Sequence, residues 1–531
     1  MNLKSWKTSA ASFVLVLAGV LLFLTAHPGY ICKEGLSFLG FFALLPVFAA
    51  VYTAPRACIL PFGFIYGFLC YAAYALWLYP YDGRYFFSAA GTAGAVLAVV
   101  FVFMRQVGKL SPRRGAYAMA LVWCVYEYVK SLGFLGFSYG ILGYTQWRSP
   151  FMLTAASLGG VWLPSAFCAF TSAALCAVLQ SFAVRRGGAV ALLREHLPPL
   201  CMLLAAFLLP LLFSAAERRM PPLPVKKISV SCIQHNPAPG RQGIEAYRED
   251  AAGLLSLTEE ALAAAPGTQL VIWPETAVVP PLVYYYEHQL DFERYNLIVD
   301  MLSRLSRLDA CFVIGNHHRV EESGGGTADY NAALVFDRRE RALVPPEPHV
   351  YKKMRLVPFA EYLPFAGRLA APDAGLWERG REAVVFTARG VRFAAPICFE
   401  DTFGSVCRRF VAGGAEFLVN LTNDSWAQSP VCQTQHLSMA VFRCAENRVP
   451  MVRCAASGAT CFIDSRGRVV QEAVPFAACS LSGQVEVPRA PRETLYSLCG
   501  DWFAWCETVL LLWLVVCGIL RERRFKKLDG V

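Results

Sequence analysis

Charge is scarce in this sequence. Only 17% of its 531 residues are Asp, Glu, Lys or Arg, against 56% hydrophobic, which excludes a soluble globular protein throughout. None of the nineteen cysteines stand in C-x-x-C spacing, so zinc ribbons and thioredoxin-like redox chemistry have no support. The adjacent His317 and His318 read as a loop or strand end and make a poor metal site alone. No metal and no cofactor are expected. Internal repeats and low-complexity tracts are also missing; "ESGGGTAD" at 322–329 reads as an exposed loop.

The apolar residues are clumped. Stretches 10–26, 36–53, 57–80, 85–104, 115–132, 155–184, 192–216 and 502–520 are nearly uncharged, and each approaches or exceeds the roughly 18–20 residues of a membrane-crossing helix. Eight such spans predict a polytopic α-helical membrane domain. Residues 1–219 would hold seven, 220–500 a soluble domain, and 501–531 the last span with a basic tail. The net charge of +10 follows this layout and does not imply a nucleic-acid partner. Lys4, Lys7, Arg56, Arg105, Lys109, Arg113, Arg114, Arg185, Arg186, Arg194 and the five basic residues after 520 all fall on one side if every stretch crosses. That side is cytoplasmic by the positive-inside rule. The soluble domain is therefore expected on the outer face of a bacterial inner membrane. Residues 1–26 also have the layout of a signal peptide, but a retained span is expected, since a polytopic protein needs no separate leader.

Within 220–500, strand-like runs alternate with helical ones, as in an α/β layered domain. The runs are 227–234, 268–275, 310–318, 330–337, 391–400, 415–424 and 451–458. Polar groups at strand ends tend to line the site in such domains. Here Glu275 follows "VIWP", Cys398 follows "FAAPI", and Asn423-Asp424 follow "FLVNLT". Lys353 is the third residue of "YKKMRLVPFAEYLP", 351–364. A carboxylate to take a thiol proton, an ammonium to stabilise thiolate and oxyanion, and the thiol itself are sufficient for acyl transfer. The competing reading is an ordinary buried Cys398 with Glu275 and Lys353 as a surface pair. "GFSYG" at 136–140 matches a nucleophile elbow around Ser138, but it links two apolar stretches and lacks the strand-turn-helix context.

"VIWPET", "YKK-LVPFAEYLP", "PICFED" and "NLTNDSW", in that order, resemble the four motifs of the carbon–nitrogen hydrolase (nitrilase) superfamily. Together with the spans, they resemble the bacterial apolipoprotein N-acyltransferase family. The resemblance implies an αββα sandwich with Glu275 as general base, Lys353 rather than Lys352 as the lysine, and Cys398 as nucleophile. It implies Glu361 and Glu400 as supporting carboxylates and Asn423, Asp424 and Trp426 as candidate substrate contacts. Phe399 stands where relatives often carry Tyr. Trp426 reads equally as core or as a lid. The implied reaction moves an acyl chain from a membrane phospholipid, through a Cys398 thioester, to the α-amine of a diacylglyceryl-modified apolipoprotein. The alternatives are a membrane-tethered amidase for a small molecule, which would need one anchor, and a transporter, which would need ionisable residues inside spans. Glu127 and Lys130, near one end of the fifth stretch, are the evident ones.

Overall fold

The computed structural model describes residues 3–110, 114–184, 189–219, 224–240, 242–322, 325–337, 339–340, 342–363, 377–489 and 493–528. The chain forms two compact units, one of residues Met1–Pro221 and Leu498–Val531, the other Pro222–Ser497.

The first unit is helical. Five of its described segments are long and apolar enough to cross a membrane: Lys7–Ala26, Arg56–Tyr74, Gly83–Leu110, Trp162–Phe182 and Trp502–Arg521. The other expected spans take different forms. The stretch 36–53 splits into a 3-10 turn, Ser37–Phe41, and a short helix, Leu45–Thr53. The stretch 155–184 is divided at Gly160 into Pro150–Gly159 and Trp162–Val184. Gly115–Ser131 has only 17 residues and contains Glu127 and Lys130. Helix Ala189–Arg219 carries its apolar stretch at Leu203–Ala216.

Those two ionisable residues secure the backbone that follows them. The buried Glu127 carboxylate accepts from Trp123 Nε1 (2.9 Å), from the Leu142 amide (2.8 Å) and from Ser165 Oγ. Lys130 Nζ donates to Tyr71 Oη (2.6 Å) and the Tyr139 carbonyl (2.9 Å). Non-helical backbone among apolar helices needs such partners, because water is not there to provide them. Ser138 lies buried within this secured turn, with no strand before it.

The second unit contains two six-stranded sheets. The first has the order β12-β1-β2-β3-β4-β5, where β1 is Val225–Gln234, β2 Leu270–Val278, β3 Cys311–Glu321, β4 Thr327–Asp337, β5 His349–Lys352 and β12 Cys479–Pro488. The second has the order β11-β10-β9-β8-β7-β6, where β6 is Phe386–Ala388, β7 Val391–Ala394, β8 Phe417–Thr422, β9 Met451–Ala455, β10 Cys461–Ile463 and β11 Val469–Glu472. In each sheet three central strands run parallel and the flanking ones antiparallel. Strand β2 is buried at all but one of its positions and β8 at every position, as expected for parallel strands covered on both faces.

On the outside of the first sheet, helices Ile244–Ala264 and Phe292–Leu305 bury Leu254, Leu255, Ile298, Met301 and Leu302 against Trp273, Phe312, Leu334 and Phe336. Each such side chain contributes about 1.5–3 kcal/mol. Asp291 caps the second of these helices, accepting from the amides of Glu293 (3.0 Å) and Arg294 (3.1 Å). Helices Gly404–Ala412 and Pro430–Asn447 follow β7 and β8 in the chain and complete the αββα order. The inner faces meet where the Cys454 thiol of β9 contacts the carbonyls of Ile233 in β1 (3.5 Å) and Ile272 in β2 (3.3 Å).

Candidate active site

Pro274 cannot donate to a sheet ladder, and a proline inside a strand marks an edge or a bulge. The β2–β3 register is broken between Trp273 and Val278, and Thr276 has φ +48°. The bulge packs onto Gly315, where a Cβ would stand 2.1 Å from the Pro274 carbonyl oxygen. Glu275 sits in this bulge and turns off the ladder. Lys353 lies one residue past β5, with its amide on the Asn331 carbonyl (2.8 Å).

The two meet in the interior. Lys353 Nζ is 3.0 Å from Glu275 Oε1 and 2.8 Å from Glu361 Oε1, and the lysine is 1% exposed. This overturns the surface-pair reading. Burial works to lower the Lys353 pKa, but the two carboxylates hold it well above the ordinary lysine value. Asn331 Nδ2 bridges the same two carboxylates, at 2.8 Å from Glu275 Oε1 and 3.1 Å from Glu361 Oε1. Glu275 Oε2 accepts from the Asn423 amide (3.0 Å), and Glu361 Oε2 from the Val357 amide (2.7 Å). Lys352 goes elsewhere, its Nζ lying 4.0 Å from the centre of the Tyr330 ring.

Cys398 is not inside a strand. The run 391–400 ends as β7 at Ala394, and Cys398 begins a 3-10 turn, Cys398–Thr402, with φ +49°. A non-glycine residue there is strained and is held only by its surroundings. Its carbonyl contacts Asn420 Nδ2 and His436 Nε2, each at 3.3 Å. Glu400, two residues on, clamps the turn. Its carboxylate accepts from Tyr351 Oη (2.7 Å) and from the amides of Met354 (2.8 Å), Arg355 (3.0 Å) and Ile397 (2.8 Å). Burial nevertheless pushes Glu400 up to about 7. Burial, helped by the negative Glu275, also pushes the half-buried Cys398 thiol well above its ordinary value, against the pull of Lys353. The thiol therefore rests protonated beside a carboxylate.

The remaining candidates divide. The Asn423 side chain accepts from the Ser425 amide (3.1 Å) and hydroxyl (2.6 Å), so its amide serves Glu275 while its side chain builds the turn. Asp424 is 2% exposed and faces His436 Nδ1 (3.3 Å) and Arg453 (3.4 Å), a fully engaged position for an expected substrate contact. His436 Nε2 also lies 2.8 Å from Asp401 Oδ1, and Arg453 pairs with Asp401. Burial and the Arg453 charge work to lower His436, but Asp401 and Asp424 raise it to about 9. Asp424 is held down at about 2 by His436 and Arg453 despite its burial. Phe399 is buried edge-on against Phe403, with ring centres 4.9 Å apart. Trp426 is 36% exposed and so does not belong to the core. His317 and His318 lie in β3, where His317 Nε2 meets Asp329 at 2.6 Å. Sequence reasoning missed Asn331, Tyr351, His436 and Arg453; a lone polar residue inside a hydrophobic strand or helix was the available signal.

Residues 229–485 match the carbon-nitrogen hydrolase family, and residues 18–174 match the apolipoprotein N-acyltransferase N-terminal domain. The chain is 36% identical to apolipoprotein N-acyltransferase 1 of Treponema pallidum, across 98% of both proteins. It belongs to the apolipoprotein N-acyltransferase family. It is also 32% identical to apolipoprotein N-acyltransferase 1 of Treponema denticola, over 97% of each chain. The family's enzyme of Geobacter metallireducens is 29% identical over 92% of each.

Proposed function

We propose that this protein N-acylates apolipoproteins in two acyl-transfer steps through a thioester on Cys398. In the first, Glu275 takes the thiol proton as Sγ attacks an ester carbonyl of a membrane phospholipid. The Lys353 ammonium offsets the charge that develops on the oxyanion. The ester C–O bond breaks, Glu275 returns the proton to the glycerol oxygen, and a lysophospholipid leaves. In the second step the α-amine of an S-diacylglyceryl cysteine attacks the thioester. An amide forms, the C–S bond breaks, and the amine proton returns through Glu275 to sulfur.

The observation that carries this reading is the buried Glu275–Lys353–Glu361 triplet beside a protonated thiol on a strained turn. Glu361 fixes Lys353, and Glu400 fixes the Cys398 turn. Trp426, exposed near the end of β8, is a candidate acceptor or lipid contact. Two bilayer-anchored substrates account for the many apolar helices; an amidase for a small molecule would not need them. The eight crossings and the outward-facing catalytic unit are part of the same proposal and rest on the distribution of basic residues.

The test begins with purified enzyme and phospholipid without acceptor. The peptide containing Cys398 should gain the mass of a fatty acyl chain, removable by hydroxylamine. A diacylglyceryl-cysteine peptide should then discharge it into an N-acyl product with ping-pong kinetics. Prompt release of free fatty acid with no adduct and no amide would defeat the acyltransferase reading.

A further inference from the structure

Two arginines flank the Lys353 segment, Arg355 two residues beyond it and Arg379 on the chain that returns beside it. Arg355 is half-buried, and its guanidinium carbon lies 4.4 Å from the centre of the Phe403 ring. Arg379 is exposed and lies 4.7 Å over the Tyr362 ring. Among the described residues neither forms an ion pair. A charge partly withdrawn from water is favoured by a counter-charge.

The position of Arg379 is fixed by its backbone. Residues 377–380 form a strap laid over the catalytic segments: the Trp377 amide donates to the Glu361 carbonyl (2.9 Å), Glu378 to Asp329 (2.7 Å) and Gly380 to Lys353 (2.8 Å). A Cβ on Gly380 would stand 2.0 Å from the Lys352 carbonyl oxygen, so the strap can lie this close only because position 380 is glycine. The Arg355 amide is tied to Glu400, and Phe403, under its guanidinium, packs edge-on against Phe399 next to Cys398. Two aromatic rings, Phe399 and Phe403, thus lie between the Cys398 turn and the Arg355 guanidinium. Burial and the neighbouring Arg379 charge lower the Arg355 pKa, against the smaller opposing pull of Glu400.

We propose that Arg355 and Arg379 form the phosphodiester subsite for the acyl donor, a glycerophospholipid held by its phosphate while its ester carbonyl reaches Cys398. Two planar guanidinium forks suit the non-bridging oxygens of a phosphate. The ester and the phosphate share one glycerol, so a phosphate gripped by these arginines leaves the ester only a few bonds away. The phosphodiester takes no part in the reaction, so the lysophospholipid product keeps it and binds the same arginines. This inference rests on the acyl-transfer reading above.

The experiment uses the full-length protein in detergent micelles with two acyl donors, phosphatidylglycerol and the phosphate-free ester p-nitrophenyl palmitate. The Arg355→Gln/Arg379→Gln double variant should show a KM for phosphatidylglycerol raised about 10- to 100-fold. Its thioester formation from the phosphate-free ester should stay within about twofold of wild type, which also shows that the protein has folded. Inhibition by lysophosphatidylglycerol should weaken in parallel, and the Arg355→Lys/Arg379→Lys variant should lie between the two. Equal losses with both donors, or no loss with phosphatidylglycerol, would overturn the subsite. Inorganic phosphate competing as strongly as the lysolipid would overturn the lipid assignment. If wild type acquires no adduct from either donor, the thioester reading itself fails.

Discussion

Replacing Asn331 with leucine tests the triplet without touching any group that exchanges a proton. Glu275 receives three donors: Lys353 Nζ at 3.0 Å, Asn331 Nδ2 at 2.8 Å and the Asn423 amide at 3.0 Å. Asn331→Leu removes one of these and, with it, the 3.1 Å bond to Glu361. A hydrogen bond to a charged group is worth about 1.5–3 kcal/mol. The bond to Glu275 orients the base for the thiol, so turnover should fall by roughly 10- to 100-fold at about 1.4 kcal/mol per decade. Both lost bonds together cost about 3–6 kcal/mol, and burying the leucine side chain returns about 2, leaving stability lower by roughly 1–4 kcal/mol. Rapid-quench measurement of thioester formation from phospholipid isolates the first step, and urea unfolding gives the stability. A variant that unfolds more readily yet forms thioester at the wild-type rate would show Asn331 to be scaffolding only and refute the reasoning.

Further outcomes follow from the same geometry. Cys398→Ala should abolish turnover, whereas Cys311→Ala and Cys444→Ser, both buried in the fold, should leave most of it, as judged by N-acyl product formation. Lys353→Ala should lose about 100- to 1,000-fold in rate, and Lys352→Ala, whose ammonium rests on Tyr330, should lose little; the reverse ranking would contradict the site. His436, raised to about 9, contributes stability that is fully present below its unfolded value of about 6.5 and is lost as pH climbs through 9. Asp424, lowered to about 2, contributes stability present above about 3.9 and lost as pH falls through 2. The wild-type urea midpoint should therefore drop between about pH 6.5 and 9, and the His436→Gln variant should lack that drop. A phosphatase reporter active only outside the cytoplasm should be active when fused after residue 300 and silent after 188.

The legible parts of the sequence were those where one physical demand dominates. Strands β1, β2, β3, β4, β8 and β9 stand out because burial on both faces forces near-continuous apolar runs. Glu275, Cys398 and Lys353 stand out because reactive groups end such runs. The edge strands β5, β6, β11 and β12 are short or half-exposed, and β10 has only three residues, so they leave weaker patterns. The run 391–400 reads as a single strand because its residues are mostly apolar, yet the ladder stops at Ala394 and Cys398 takes a left-handed backbone. Asn331 was hidden in "DYNAALVFD" because its partners lie 30 and 56 residues away. Hydropathy alone likewise could not reveal the division at Gly160, or that Glu127 and Lys130 serve a neighbouring turn.

The lysine and the carboxylate base come from one sheet and the thiol from the other. Tyr351, at the end of β5, reaches Glu400 beneath the Cys398 turn, and the Cys454 thiol fills the contact between β9 and the pair β1 and β2. The separation between base and nucleophile is thus a reading of how thick the sandwich core is. A side chain trimmed deep between the sheets, far from any substrate, alters that gauge as surely as a change at the mouth of the site. Selection on turnover then acts on the packing of the interior, and variants that still fold well can be slow because two layers have settled a fraction of an ångström closer together.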